Sequence, residues 1–462
     1  MNIDQSIFKA YDIRGTVPDQ INPKVAEQIG RAFAGWLSKV RANGRSPVLK
    51  VIVGRDVRTH SPEIAGALIR GIASQSIDVV DVGLITTPML YFIDASAGFD
   101  GGVSVTASHN PAEYNGFKIV REKAIAISGD SGIKEIGQMA TSQNFPDLVK
   151  GQVTQEDFTD RYIDHLQTFI NFKDLKPAKI VVNPNFGVGS NILKKLANIV
   201  PGEFVYLNSE LDGSFPKGKP DPLLPVNRTE ISELIKSTGA DFGVSWDADG
   251  DRVYFLDQNG EFIDGYFTTA VLAEAMLKSH PGSKIIYDPR LTWATIDTVN
   301  RNGGIPIVCK PGHSFFKQRM RSEDALFAGE MSGHYYFRDN FYADDGMLAF
   351  LIIWDLYTKK NCQYSDLVKD LKAKYITAGQ EFNFEVQDSR SVLAQIEENY
   401  TDSQKLEIDG LTIEYPDWRF NLRPSNTEPL IRLNIEAKSQ ITFNQKLQEI
   451  TDLIKQLGGV EK

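Results

Sequence analysis

Apolar positions Val25, Ile29, Phe33 and Trp36 or Leu37 recur at helical spacing across residues 24–37, and residues 49–53 then form a short run of strand length. Ser61-Pro62-Glu63 predicts the next helix start, with Ser61 as cap and Pro62 at the first helical position. Residues 78–83 and 102–106 read as further strands separated by helix-length segments. This alternation is that of a layered α/β domain. Residues 138–151 are polar and weakly patterned, as a boundary helix or linker is. The pattern then restarts with strands at 179–183 and 241–246. A third unit opens near Gly260, with strands at 284–287, 305–308 and 326–328 and a hydrophobic helix over 345–357. Beyond about residue 370, residues 381–386 and 430–435 alternate with period two, as half-exposed antiparallel strands do. Leu447, Ile450, Ile454 and Leu457 mark a closing amphipathic helix. The expectation is an α/β chain of three similar mixed-sheet domains, 1–150, 151–256 and 257–368, and an α+β domain over 369–462.

The polar residues that interrupt this pattern carry the candidate chemistry. Thr106-Ala107-Ser108-His109-Asn110-Pro111 follows directly on a strand, at the edge where open α/β sheets place ligand sites. Pro111 stiffens the exit, so the turn is expected to present the Ser108 hydroxyl outward; a plain strand-ending turn is the alternative. No G-x-S-x-G elbow occurs, which leaves an esterase-type nucleophile with little support. Asp247, Asp249 and Asp251 stand two apart around Gly250, so three carboxylates can converge on one hard cation. An EF-hand is excluded, because its glycine belongs sixth and its glutamate twelfth, whereas counting from Asp247 gives glycine fourth and Gln258 twelfth. Arg252 beside them is either an ion pair or a phosphate ligand.

Three further loops have ligand-binding composition. Gly329-Glu330-Met331-Ser332-Gly333-His334 combines a carboxylate, a hydroxyl and an imidazole suited to sugar hydroxyls. Arg423-Pro424-Ser425-Asn426-Thr427-Glu428-Pro429 offers one guanidinium and small donors on a proline-bracketed loop, the composition of a phosphate clamp. Tyr11-Asp12-Ile13-Arg14-Gly15, Lys118 and His313 add cations and a polar ring that gain weight only as members of the set.

Composition narrows the partners. A chain of 462 residues exceeds the size at which one core keeps growing. A net charge of -10 and the absence of a basic block argue against nucleic acid. Cys309 and Cys362 lack disulfide or metal spacing and are expected to be core thiols in a reducing compartment. No signal peptide is visible, and the longest greasy stretch, 347–354, falls short of a bilayer span, so the expected location is the cytoplasm, with no membrane partner.

Taken in order, from Tyr11-Asp12-Ile13-Arg14-Gly15 through the serine, aspartate and Gly-Glu-Met-Ser-Gly-His motifs to Arg423-Pro424-Ser425-Asn426-Thr427, the chain closely resembles the α-D-phosphohexomutases, and within them the bacterial phosphomannomutase/phosphoglucomutase group. The resemblance implies four domains round a central cleft and a catalytic phosphoserine. It also implies one Mg²⁺ and a hexose 1,6-bisphosphate intermediate, with glucose or mannose 1,6-bisphosphate as activator. On this likeness Ser108 would hold the phosphoryl group, and Asp247, Asp249 and Asp251 would bind Mg²⁺ together with a phosphoserine oxygen. Glu330 and Ser332 would grip the sugar, with Tyr11 and His313 as further substrate contacts. Arg423, Ser425, Asn426 and Thr427 would anchor the non-reacting phosphate. Arg14, Lys118 and Arg252 would steady the transferring group, and Lys118, His334 or His109 would carry the proton. Met331, where glucosamine mutases usually carry Gln, points to mannose and glucose phosphates. A phosphoglucosamine mutase and a Mg²⁺-dependent sugar phosphatase are the alternatives. A monomer is expected, a dimer being the other option.

Overall fold

The structure, a computed structural model, describes residues 3–41, 49–142, 144–425 and 429–462. It forms two compact units, Met1–Phe262 with Gly333–Tyr364, and Ile263–Ser332 with Ser365–Lys462.

The first unit holds two sheets. One has the strand order Ile13–Thr16, Tyr114–Arg121, Gly101–Val105, Lys50–Arg55, Asp78–Leu84 and Val153–Gln155. Lys50–Arg55 runs parallel to both neighbours, and Gly101–Val105 and Ile13–Thr16 run antiparallel to Tyr114–Arg121. The predicted stripe is buried: Ile29, Phe33 and Leu37 of helix Pro23–Arg41 pack with Leu68 and Ile72 of helix Ser61–Ala73, all at 0% exposure. Each such side chain contributes roughly 1.5–3 kcal/mol of burial. Ser61 does not cap its helix. It lies inside the first turn, fully buried, and its hydroxyl donates to Asp56 Oδ1 at 2.6 Å. Pro62 is therefore the second residue of the helix and not the first, as His60 takes the cap position.

The other sheet orders Val253–Leu256, Phe242–Trp246, Lys179–Asn183 and Glu203–Tyr206. Helix Gly346–Lys360, which follows the third group of predicted strands in sequence, packs on this sheet: Phe350 lies 5.4 Å from Trp246, Trp354 6.2 Å from Phe204, and Tyr357 5.7 Å from Phe242. A helix that is apolar on nearly all sides needs cover all round, and periodicity does not say whose. Its cap is Asp345, whose carboxylate accepts the N–H groups of Met347 and Leu348 at 2.9 Å and the Tyr162 hydroxyl at 2.8 Å. Burial pushes the Asp345 carboxyl up to about 7, against the lowering pull of those bonds. A carboxyl raised on folding gives stability that is full near pH 4 and lost as pH rises through the raised value. Asp345→Asn is therefore expected to gain on the wild type in thermal unfolding midpoint between about pH 4 and pH 7, with the difference level above that. A difference independent of pH would contradict the assignment.

In the second unit, Lys284–Tyr287 runs parallel to Ile305–Val308 and to Phe327–Gly329. The antiparallel sheet orders Gln404–Leu406, Leu411–Glu414, Trp418–Pro424, Leu430–Ala437, Phe382–Glu385 and Val460–Glu461. Helix Gln440–Gln456 covers it with Ile450 and Ile454. A buried ionic knot sits beneath: Glu436 Oε1 accepts from Arg419 Nη1 at 2.9 Å and from Thr292 N at 2.7 Å, and Glu436 Oε2 accepts from the Tyr266 hydroxyl. Removing one partner of such a pair costs roughly 3–5 kcal/mol, because the other is left charged and buried. Cys309 is buried as expected, but Cys362 is only half-buried. Among the described residues, no helix is long and apolar enough to cross a membrane.

Candidate active site

The strand Gly101–Val105 ends in a loop on which Ser108 takes a left-handed φ of +50°. Few non-glycine residues adopt that backbone, and their clustering at functional positions makes it a pointer. The hydroxyl does not face outward. Ser108 is 1% exposed, its amide donates to Thr106 Oγ1 at 2.9 Å, and its Oγ donates to Asp247 Oδ2 at 2.6 Å. His109 Nδ1 lies 3.1 Å from the same Oγ, which can accept an Nδ1–H because its own single proton goes to Asp247.

Asp247 is the first residue after strand Phe242–Trp246. The loop turns back at Gly250, whose φ of +73° suits glycine, and its carbonyl sits so close to Gly346 that a Cβ there would lie 2.8 Å from it. Asp247, Asp249 and Asp251 are at most 2% exposed, and one oxygen from each lies within 4.8 Å of the others. Lys118, from strand Tyr114–Arg121, places its ammonium among them. Nζ donates to Asp249 Oδ2 at 2.8 Å and to Asp251 Oδ2. Thr87 Oγ1, at the amino end of helix Thr87–Ala97, adds a bond of 2.6 Å to Asp249 Oδ2.

Three buried carboxylates with one ammonium leave negative charge uncompensated. Burial, then repulsion from Asp249 and Asp251, pushes the Asp247 carboxyl well above the usual range. Asp251 is held well below it, because Lys118 and His334 outweigh its burial. Lys118 is itself raised: burial alone would lower it, but Asp249 and Asp251 prevail. Asp249 Oδ1 is buried with no hydrogen-bond partner. An oxygen-only cluster with excess charge and an orphaned carboxylate oxygen fits a hard divalent ion, so the cluster could bind a metal ion.

The predicted cations of this unit gather round the serine loop. Arg14 Nη1 donates to Asn110 Oδ1 at 2.8 Å, while its Nε pairs with Asp12 Oδ2 at 2.7 Å. The Arg252 amide donates to Asp247 Oδ1 at 3.2 Å; burial would lower its guanidinium, but Asp221 and Asp247 hold it above the ordinary value. His334 is buried with Nε2 3.6 Å from Asp251 Oδ1. Asp251, His334 and Asp344 form a second trio of close ligand atoms. The partly buried His109 is held well below the usual imidazole range by burial and by Arg252 and Arg14, so it is neutral at neutral pH. Tyr11 is half-buried just before strand Ile13–Thr16.

The second unit gathers the remaining candidates. Glu330 is 2% exposed; its Oε1 accepts the Gly312 amide at 2.6 Å and its Oε2 accepts the Ser332 hydroxyl at 3.2 Å. His313 opens helix His313–Glu323 next to that amide. Arg423 Nη2 donates to Glu381 Oε1 at 2.9 Å, with Arg290 3.8 Å and Arg432 3.9 Å from the same carboxylate. Burial would raise Glu381, yet Arg290 and Arg423 bring it down to about 2. Ser425 is bonded through its amide to Leu430 O at 2.7 Å, and Asn426 and Thr427 lie outside the described residues.

Sequence reasoning missed Asp56, Arg58, Thr87 and Glu381. The first two had a signal: Gly54-Arg55-Asp56-Val57-Arg58 puts charges directly after an apolar strand, where a buried charge needs a specific partner.

Family models match the chain in four consecutive pieces. They are the alpha/beta/alpha domains I, II and III of phosphoglucomutase/phosphomannomutase over residues 5–147, 160–260 and 264–375, and the C-terminal domain over 381–453. A phosphomannomutase of Vibrio cholerae is 41% identical over 460 residues, covering 97% of this chain and 98% of that one. Phosphohexose mutases of Xanthomonas campestris are 43% identical over 455 residues, 97% of this chain and 99% of theirs. A Burkholderia thailandensis phosphoglucomutase/phosphomannomutase family protein superposes with a TM-score of 0.88 at 34% identity, over 99% of this chain and 98% of that one. The four-domain architecture with mixed α/β sheets is theirs as well. The chain therefore belongs to the phosphoglucomutase/phosphomannomutase family of phosphohexomutases and is a mutase, an enzyme of intramolecular phosphoryl transfer.

Proposed function

We propose that the protein interconverts mannose 6-phosphate with mannose 1-phosphate, and glucose 6-phosphate with glucose 1-phosphate, through a phosphorylated Ser108 and a hexose 1,6-bisphosphate. The observation that carries this is the 2.6 Å bond from Ser108 Oγ to Asp247 inside a buried cluster of three carboxylates and one lysine. A hydroxyl held against that cluster stands where a divalent ion bound by the carboxylates would also reach a phosphoryl group on the serine oxygen. The curated phosphomannomutase and phosphohexose mutase relatives support the sugar class.

In this reading Asp247, Asp249 and Asp251 hold Mg²⁺, which would neutralise charge building on the transferring phosphoryl group and on the Ser108 oxygen. Arg14, Arg252 and Lys118 would steady the same group, Lys118 from its place beside Asp249 and Asp251. Because Lys118 keeps its proton between two carboxylates, we assign proton transfer to an imidazole, His334 first and His109 second. Tyr11, His313, Glu330 and Ser332 orient the sugar. Arg423, Ser425, Asn426 and Thr427 anchor the phosphate that is not reacting. Phosphoserine gives its group to the free hydroxyl, the bisphosphate turns round, and its other phosphate returns to Ser108. We assign the four domains to 1–150, 151–256, 257–368 and 369–462, working as a monomer in the cytoplasm.

Intact-mass measurement before and after incubation with glucose 1,6-bisphosphate tests the core of this. Gain of one phosphoryl group on Ser108, with glucose 6-phosphate formed from glucose 1-phosphate faster than free phosphate, is the expected result. Faster release of phosphate points to a phosphatase, and better turnover of glucosamine phosphate to a glucosamine mutase. Arg423→Ala is expected to raise KM about 10-fold or more for both the 1- and 6-phosphates, since a bidentate guanidinium–phosphate contact is lost in either orientation. An effect on one isomer alone would contradict the turning bisphosphate.

A further inference from the structure

We propose that Arg58 is the positioning residue for Ser108, holding the serine loop in its left-handed conformation from beneath without touching the reacting oxygen. The proposal rests on the reading that Ser108 carries the phosphoryl group.

Arg58 lies just beyond strand Lys50–Arg55 and is 0% exposed. Its Nη2 donates to Ser108 O at 2.9 Å and Asn110 O at 2.6 Å, its Nη1 to Pro111 O at 2.5 Å and Tyr114 O at 3.0 Å. Nε donates to Asp56 Oδ2 at 3.2 Å. A guanidinium has five N–H groups, and all five are engaged here, three of them on carbonyls of the serine loop and one on the first residue of the strand that follows it. Phe215 closes the face of the plate, its ring 5.0 Å away. The other end of the device is fixed to the scaffold, because Asp56 Oδ1 accepts the Arg58 amide at 3.0 Å and the Ser61 hydroxyl at 2.6 Å. The Asp56 amide in turn donates to Val105 O at 3.0 Å, at the end of the strand that leads to the serine.

The arrangement turns the carbonyls of residues 108, 110, 111 and 114 inward round one buried cation. Four inward carbonyls in so short a stretch leave the backbone little choice, and Ser108 takes φ of +50°. In that conformation the hydroxyl donates to Asp247. Lysine cannot do this, since its donors radiate from one atom and do not span four carbonyls in a plane. Arg58 meets the loop through backbone carbonyls and not through the Ser108 hydroxyl, so its loss is expected to misplace the nucleophile while leaving substrate affinity alone.

The test uses the full-length protein. Arg58→Ala is expected to lower kcat about 100-fold with KM within about threefold of wild type, the size of loss that a displacement of about 1 Å produces. Uptake of one phosphoryl group by Ser108 from glucose 1,6-bisphosphate slows by the same factor. Millimolar guanidinium ion, which refills the slot between Asp56 and the four carbonyls, restores at least about tenfold, and Arg58→Lys stays low without responding to it. Rescue by guanidinium is a readout that general destabilisation does not give. A kcat within threefold of wild type in Arg58→Ala, or a loss that appears in KM, overturns the proposal. Should Arg58→Ala fail to fold, Asp56→Asn decides: it keeps the four carbonyl bonds, frees the anchor, and is expected to lower kcat about tenfold at unchanged KM. Wild-type kcat there overturns the proposal. Normal Arg58 and Asp56 variants beside an inactive Ser108→Ala would sink this proposal alone, whereas an active Ser108→Ala would sink the phosphoserine reading beneath it.

Discussion

Replacing Ser108 with alanine is expected to lower kcat with glucose 1-phosphate by at least about 10⁴-fold, the scale of loss when a covalent carrier is removed and only binding and charge remain. The substitution takes away one oxygen. It removes the 2.6 Å bond to Asp247 and leaves the backbone at φ +50°, where alanine is strained about as serine is. Asp247 loses one hydrogen bond and keeps that from the Arg252 amide, so the cost in stability is about 1–3 kcal/mol. A chain of this size, with separate cores in its two units, tolerates that. The variant should therefore purify folded, take up no phosphoryl group by intact mass after incubation with glucose 1,6-bisphosphate, and show wild-type thermal unfolding to within a few degrees. Activity within tenfold of wild type would move the carrier role away from Ser108, and with it the proposed bisphosphate cycle.

How far the sequence could be read depended on what each residue needed. The strands at 179–183, 284–287 and 305–308 match those of the structure end to end, because each is an apolar run whose length and flanks leave no other solution. The aspartate loop was legible in part. Three carboxylates around a glycine fit either one shared cation or a solvated acidic turn, and their burial in the structure favours the first. Helix Gly346–Lys360 was legible as an element, but its place was not, since an almost uniformly apolar helix carries no record of which sheet it covers. Ser61 looked like a cap, yet the buried Asp56, five residues earlier, claimed its hydroxyl. Arg58 was invisible for the opposite reason to the aspartates. Its partners are backbone carbonyls, which every sequence has, so no side-chain pattern announces them. The pairing of Lys118 with Asp249 and Asp251 joins residues more than 130 positions apart, and only the packing of two sheets in one unit brings them together.

Asp247→Asn is expected to separate stability from activity in opposite directions. In the absence of a metal, Asp247 is buried beside Asp249 and Asp251, and its carboxyl is held well above the usual range, by burial first and then by those neighbours. A carboxyl raised on folding contributes stability that is full below the unfolded value of 3.8 and is lost as pH rises through the raised one. At neutral pH the wild-type protein in chelator therefore carries an electrostatic strain that a neutral amide relieves. Asparagine keeps one oxygen for the Arg252 amide, which Oδ1 accepts in the wild type, and its NH2 stands where Oδ2 met the Ser108 hydroxyl; that contact survives by reversal, the NH2 donating to Ser108 Oγ and the hydroxyl proton turning to His109 Nδ1. In EDTA the variant should unfold about 2 °C or more above wild type at pH 8, with the gap closing toward pH 4. Added Mg²⁺ should then raise the wild-type midpoint more than that of the variant, because one of three anionic ligands has gone. Turnover should fall about 10³-fold, as several kcal/mol of charge stabilisation are lost where the phosphoryl group transfers. Thermal melts in chelator and in Mg²⁺ at both pH values, read beside kcat, decide the matter. An Asn variant no more stable than wild type in EDTA, and equally stabilised by Mg²⁺, would mean that Asp247 is neither strained by its neighbours nor a ligand of the ion, and that the cluster exists to hold Lys118.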